Sequence, residues 1–228
     1  MSAEFKESNG FQYWFHKGDD PSGLCIYILG LPQDPAEIEK SHGKYSCSIV
    51  YIVINAWDDD LTPWSAPNST AGSPDFKGLA PETLKTLTTK IIPDVEKREG
   101  ISPAQRDIAG YSLSGLFATY AFANSDVFHD MASMSGSFWY EGWIDYLSGL
   151  ERDKKGTFAY LSLGLKECKV KQKLLQSVQE NTDKVESILE SWGTQVEKYY
   201  GPGGHFDFIE ERVEAGLSAL IDAFNDQK

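Results

Sequence analysis

The stretch RDIAGYSLSGLFATYAFA, Arg106–Ala123, changes its hydrophobic period half-way along. Arg106–Ser112 reads as a strand, and Leu113–Ala123 as a helix with Leu116, Phe117 and Tyr120 on one side. The join is AGYSLSG, a run of small residues around two serines. A sharp strand-to-helix turn lifts the side chain at its apex above a sheet only if the residues two away on either side are small; Gly110 and Ser114 flank Ser112 in that way. The helix start also turns backbone N–H groups without intrahelical acceptors, Leu113 first, toward the space in front of the Ser112 hydroxyl. Ser114 lies too far into the helix for that role and reads as the tolerated small residue. A plain tight turn packed under a helix would use the same residues, so the partners of Ser112 have to decide.

Outward from this join, strands alternate with helices. LCIYILGL (Leu24–Leu31) and CSIVYIVINAW (Cys47–Trp57) are apolar, β-branched and aromatic runs, as strands buried on both faces are. DPAEIEKS between them suits a short surface helix. Leu84, Leu87, Ile91 and Val95 recur at helical spacing, and Pro93 is expected near the end of that helix. HDMASMS and GTFAYLSLG are further strands. A helix through Val185, Leu189 and Trp192 stops at Gly193, QVEKYY forms the last strand, and Ile209, Val213, Leu217, Leu220 and Phe224 mark a closing helix. This order predicts an α/β fold, a mostly parallel central sheet with helices on both faces, in one domain over residues 1–228. Ligands of such sheets bind beyond the carboxyl ends of the strands.

Composition limits the partners. A hydrophobic fraction of 41% with 13% aromatics is globular, and a net charge of −13 repels phosphate backbones and anionic lipid, so neither nucleic acid nor a membrane is an expected partner. MSAEFKESNGFQYWFHKG lacks a basic head followed by an apolar run, and a cytoplasmic location is expected. Cys25, Cys47 and Cys168 lack C-x-x-C spacing and read as free thiols. Asp58, Asp59 and Asp60 have no second ligand cluster and read as a solvated turn; no metal or other cofactor is implied.

A serine hydroxyl needs a base. Of four histidines, His16 lies in the amino-terminal aromatic segment, His42 in a polar turn, and His129 before a strand, at its wrong end. His205, in YYGPGGHFDF between the last strand and the closing helix, is at the correct rim. The carboxylate that orients it should lie between Ser112 and His205, after the penultimate strand, where GTFAYLSLGLKE offers Glu167.

With these three placed, IAGYSLSGLFATYAF, SMSGSFWYEGWIDYL, YLSLGLKE and GPGGHF…EERVEAGL, in that order, resemble the esterase branch of the α/β-hydrolase superfamily that includes enterochelin esterases, feruloyl esterases, S-formylglutathione hydrolases and mycolyltransferases. WDDDLTPWSAP looks like a loop of small bacterial members. The resemblance implies an α/β-hydrolase fold without a large cap domain, Ser112 as nucleophile, His205 as base, Glu167 as acid, and a second oxyanion N–H from Leu31 beside that of Leu113. Two departures stand out: Ser114 where many relatives carry glycine, and Leu165 where some carry the aspartate. Trp57, Trp64, Trp139 and Tyr140, in loops at the same rim, are expected to wall an open, shallow pocket, although loop packing would use them equally well. The function expected is hydrolysis of a small-molecule carboxylic ester through an acyl-enzyme. Alternatives are acyl transfer or peptide cleavage on the same machinery, or a catalytically silent ligand-binding relative.

Overall fold

The computed structural model describes residues 4–70 and 72–227; Met1–Ala3 of the amino-terminal stretch, Ala71 of the long loop and Lys228 lie outside the described residues. In chain order the strands are β1 (Lys6–Ser8), β2 (Phe11–His16), β3 (Leu24–Gly30), β4 (Ser48–Val53), β5 (Gln105–Tyr111), β6 (Met131–Met134), β7 (Phe158–Gly164) and β8 (Gln195–Gly201). The helices are α1 (Pro35–His42), α2 (Trp57–Asp60), α3 (Ala80–Thr86), α4 (Ile92–Glu99), α5 (Leu113–Asn124), α6 (Trp143–Ser148), α7 (Lys173–Gln176), α8 (Val178–Ser191) and α9 (Ile209–Asp226).

All eight strands form one sheet in the order β1-β2-β4-β3-β5-β6-β7-β8. From β4 to β8 every pairing is parallel; β1 and β2 add an antiparallel edge. Every residue of β3, β4, β6 and β7 is buried, because alternate side chains point into cores on opposite faces. Cys25, Tyr27 and Leu29 belong to the core shared with α3, α4, α5, α6 and α8, whereas Ile26 and Ile28 belong to the core shared with α1 and α9. The parallel order places the carboxyl ends of β3 to β8 at one rim, and the Ser112 turn sits at its centre, after β5.

Three sequence readings change. The segment before Leu24 is not merely aromatic: Phe11–His16 pairs with β4, and Asn9 and Gly10, both at positive φ, close a hairpin with β1. Trp57 begins a helical turn instead of ending a strand, since β4 stops at Val53. Pro93 does not end its helix. Leu87–Ile91 winds as a π turn in which the Ile92 N–H reaches the Leu87 carbonyl, which absorbs the missing proline donor, and α4 runs on to Gly100, a left-handed cap. Among the described residues, no helix is long and apolar enough to cross a membrane.

Candidate active site

Ser112 occupies the turn between β5 and α5 with φ 62° and ψ −124°. That backbone state costs a non-glycine residue on the order of 1–3 kcal/mol and persists only where its surroundings impose it. Here they do: the Ser112 N–H donates to the Met134 carbonyl at 3.0 Å, and the Ser112 carbonyl accepts from Ser137 N–H at 3.1 Å. Gly110 is obligatory beneath the turn, since a Cβ there would lie 2.2 Å from the Ser114 carbonyl oxygen. Ser114 does more than stay small, because its hydroxyl donates to the Leu29 carbonyl at 2.6 Å and ties the start of α5 to the end of β3.

The rim brings the three expected side chains together. His205 Nε2 is 2.9 Å from Ser112 Oγ, and His205 Nδ1 is 2.7 Å from Glu167 Oε2. The other carboxylate oxygen, Oε1, accepts from the Gly164 N–H at 2.7 Å and the Ser135 hydroxyl at 2.8 Å. Burial alone would push the Glu167 carboxyl up. The hydrogen bonds from His205, Gly164 and Ser135 overcome it and hold the group below the ordinary carboxylate range, so it is an anion at neutral pH. An ionised carboxylate on Nδ1 fixes the tautomer whose Nε2 is free to accept from Ser112. Leu165, by contrast, is half exposed and takes no part.

Beneath this chain lies a residue that the sequence reading missed. Arg212, on the first turns of α9, is 5% exposed. Its Nη1 stands 3.1 Å from Glu167 Oε1 and 3.0 Å from both Ser135 Oγ and the Tyr111 hydroxyl, while Nη1 and Nη2 reach the Gly204 and Pro202 carbonyls at 3.1 and 2.8 Å. The Tyr111 hydroxyl in turn donates to the His205 carbonyl. One guanidinium thus ties the acid, the end of β5 and the loop carrying the histidine. The available signal was an arginine one position from Val213 and three from Ile209, on the border of the apolar face of α9.

At the end of β3, the Tyr51 hydroxyl donates to the Leu31 carbonyl at 2.9 Å and accepts from Gln33 Nε2 at 2.8 Å, fixing the peptide beyond Gly30. Gly30 leaves the room, as a Cβ there would sit 1.9 Å from that hydroxyl. Of the expected pocket aromatics, Trp57 and Trp139 line the cavity over Ser112. Trp64 and Tyr140 pack the loops instead. The Trp64 indole donates to the Glu141 carbonyl at 3.0 Å and stacks on Trp143, and the Tyr140 hydroxyl donates to the Trp64 carbonyl. The cavity measures about 1230 Å³. Asp59, in the α2 turn, pairs at 2.6 Å with Lys77 of the loop before α3.

No family model matches the chain. Over 141 residues it is 30% identical to the uncharacterized protein YbbA of Bacillus subtilis (strain 168), a match covering 59% of this chain and 55% of that protein; the chain thus spans about half the length of the curated relative. An IroE-like serine hydrolase from Shewanella oneidensis aligns over 96% of this chain and 80% of its own, with a TM-score of 0.77 at 14% identity. The chain has the α/β-hydrolase fold. The siderophore hydrolase EstB from Aspergillus nidulans shares this α/β-hydrolase architecture over 95% of this chain and 93% of its own (TM-score 0.69, 16% identity). The enterobactin and salmochelin hydrolase IroE does so over 98% and 94% (TM-score 0.66, 19% identity). As in a minimal α/β-hydrolase fold, the β6–β7 connection carries only the short helix α6 and no cap domain.

Proposed function

We propose that this protein is a serine esterase in which Ser112 attacks a carboxylic ester, His205 is general base and then acid, and Glu167 orients and stabilises the imidazolium. The observation that carries the reading is the unbroken hydrogen-bond chain from Ser112 Oγ through His205 to an ionised, buried Glu167, ending on a serine held in a strained turn. Serine hydrolases among the proteins that share the fold, including those named for siderophore hydrolysis, agree with it.

In the first half-reaction Ser112 Oγ bonds to the carbonyl carbon as its proton passes to His205 Nε2. The resulting oxyanion is met by the Leu113 N–H, at the first position of α5, and by the Leu31 N–H, on a residue whose carbonyl Tyr51 anchors. Collapse expels the alcohol, which takes the proton from Nε2. Water, deprotonated by the same nitrogen, then releases the acid and restores Ser112. Each step uses only protein groups and water. The substrate is a small-molecule ester, with Trp57 and Trp139 as pocket walls and Trp64 and Tyr140 supporting them. Nucleic acid is disfavoured by the charge of −13. The free thiols of Cys25, Cys47 and Cys168 suit a reducing, cytoplasmic compartment.

The test is turnover of p-nitrophenyl acetate together with labelling by a fluorophosphonate. Wild type should do both and Ser112→Ala neither; a wild type inert to both would sink the reading.

A further inference from the structure

Two separate helices cover the second face of the sheet. The 8-residue helix α1 packs toward β2, whereas α9 lies over β5, β6 and β7. Both helices start at the rim beside Ser112, at Pro35 and Ile209, and run away from it. Between them a trough continues from the Ser112 cavity over the middle of the sheet. Its floor is Ile28, Tyr51 and Tyr111, and its walls are Ile38 and His42 on one side and Val213 and Leu217 on the other. Burial, and after it the Lys44 ammonium, push His42 down to about 4, so that wall is uncharged at neutral pH. Lys44 Nζ, just beyond α1, and Glu214 Oε1, on α9, link the two helices' flanks with a half-exposed ion pair of 2.7 Å. At the mouth, Leu31, Phe206 and Ile209 expose 48%, 85% and 38% of their surface, an unusual grouping of open apolar side chains around one entrance.

An ester has two arms at its reacting carbon, and this cavity has two lobes at Ser112: the aromatic lobe of Trp57, Phe76 and Trp139, and the trough. Building on the esterase reading, we propose that the trough is a substrate subsite for an unbranched alkyl arm. Ile28, Ile38, Val213 and Leu217 give it apolar contact that suits an alkyl chain, while the charged side chains that also line the cavity, such as Glu37, Lys40, Glu210 and Glu214, belong to α1 and α9. The flanking helix α1 sets its length: 8 residues span about 12 Å, the extent of roughly eight to ten carbons.

The experiment measures kcat/KM along two series, p-nitrophenyl alkanoates from acetate to dodecanoate and alkyl acetates from ethyl to dodecyl, which separate an acyl from an alcohol arm. In one series kcat/KM should rise about three- to fourfold per methylene and level off at roughly eight to ten carbons. Val213→Trp, which fills the trough from α9, should lower the decanoyl-to-acetyl (or decyl-to-ethyl) ratio at least about tenfold; Ser41→Trp does the same from α1 should the first variant not fold. Using the ratio cancels general losses of folded enzyme. A flat profile in both series, or a ratio that survives both substitutions and collapses in Trp139→Ala, would overturn the trough while leaving the esterase intact. Absence of all ester turnover with Ser112 unlabelled would overturn both.

Discussion

Strand β5 carries Asp107 near its start and delivers Ser112 at its end, and the buried carboxyl groups at these two ends are shifted in opposite directions. At the start, Asp107 and Asp130 are both fully buried, and Gln105 Nε2 lies 3.0 Å from an oxygen of each. Burial, with the charge of Asp130 added, pushes Asp107 well above the ordinary range. Asp130 is also raised by burial, against the pull of the Phe158 N–H and of His129. The pair therefore keeps a proton. At the other end Glu167 is equally enclosed, yet donors converge on both of its oxygens and it stays ionised. Burial sets only the cost of a charge; the donors decide whether it is met. A carboxyl pair that holds on to a proton suits a structural knot, and an anion suits the partner of an imidazolium.

The sharpest way to break this comparison is to neutralise one carboxylate at each end. Glu167→Gln should lower kcat for p-nitrophenyl acetate by about 10³–10⁴-fold, whereas Asp107→Asn should leave it essentially unchanged; equal losses would erase the distinction. Next in size, Arg212→Met removes the guanidinium beneath Glu167. Urea unfolding should show a loss of about 3–5 kcal/mol, because a buried anion loses its cation, and a loss below about 1 kcal/mol would mean that the other donors suffice.

The pH dependence of stability should have opposite signs at the two ends. For the raised Asp107, the stabilising contribution is complete below the unfolded carboxylate value of about 3.9 and is lost as pH rises through the folded value. For the lowered Glu167, it is complete above about 4.3 and lost as pH falls. Asp107→Asn should therefore gain stability relative to wild type as pH rises from 4 to 7, by up to about 1.4 kcal/mol per pH unit for one proton. A deficit that grows with pH would mean that Asp107 is ionised in the fold. The smallest effect belongs to His129, 2.8 Å from Asp130 but with a side chain 41% exposed. His129→Ala should change stability by only about 0.5 kcal/mol in the same assay.

The sequence showed the Ser112 end more clearly than the Asp107 end, for physical reasons. Strands β3 to β7 are buried on both faces, so their composition betrays them, and chain order alone puts the loops with Glu167 and His205 on the rim that carries Ser112. The β1–β2 hairpin escaped because β2 mixes exposed and buried positions at an edge, although Asn9-Gly10 is a hairpin signal. Arg212 and Tyr111 escaped because their partners are chosen by how α9 docks on the sheet. Trp64 and Tyr140 could not be told from Trp57 and Trp139 by type or loop; only packing separates the residues that line the cavity from those that hold the lining in place.

The most direct test of the claim that an ionised Glu167, acting through His205, makes Ser112 a nucleophile is peptide mapping by mass spectrometry after fluorophosphonate treatment, followed over time. The account predicts one adduct, on Ser112, forming at least about 10²-fold more slowly in Glu167→Gln. An adduct on Ser114 or Ser137, or equal labelling rates in wild type and Glu167→Gln, would contradict it.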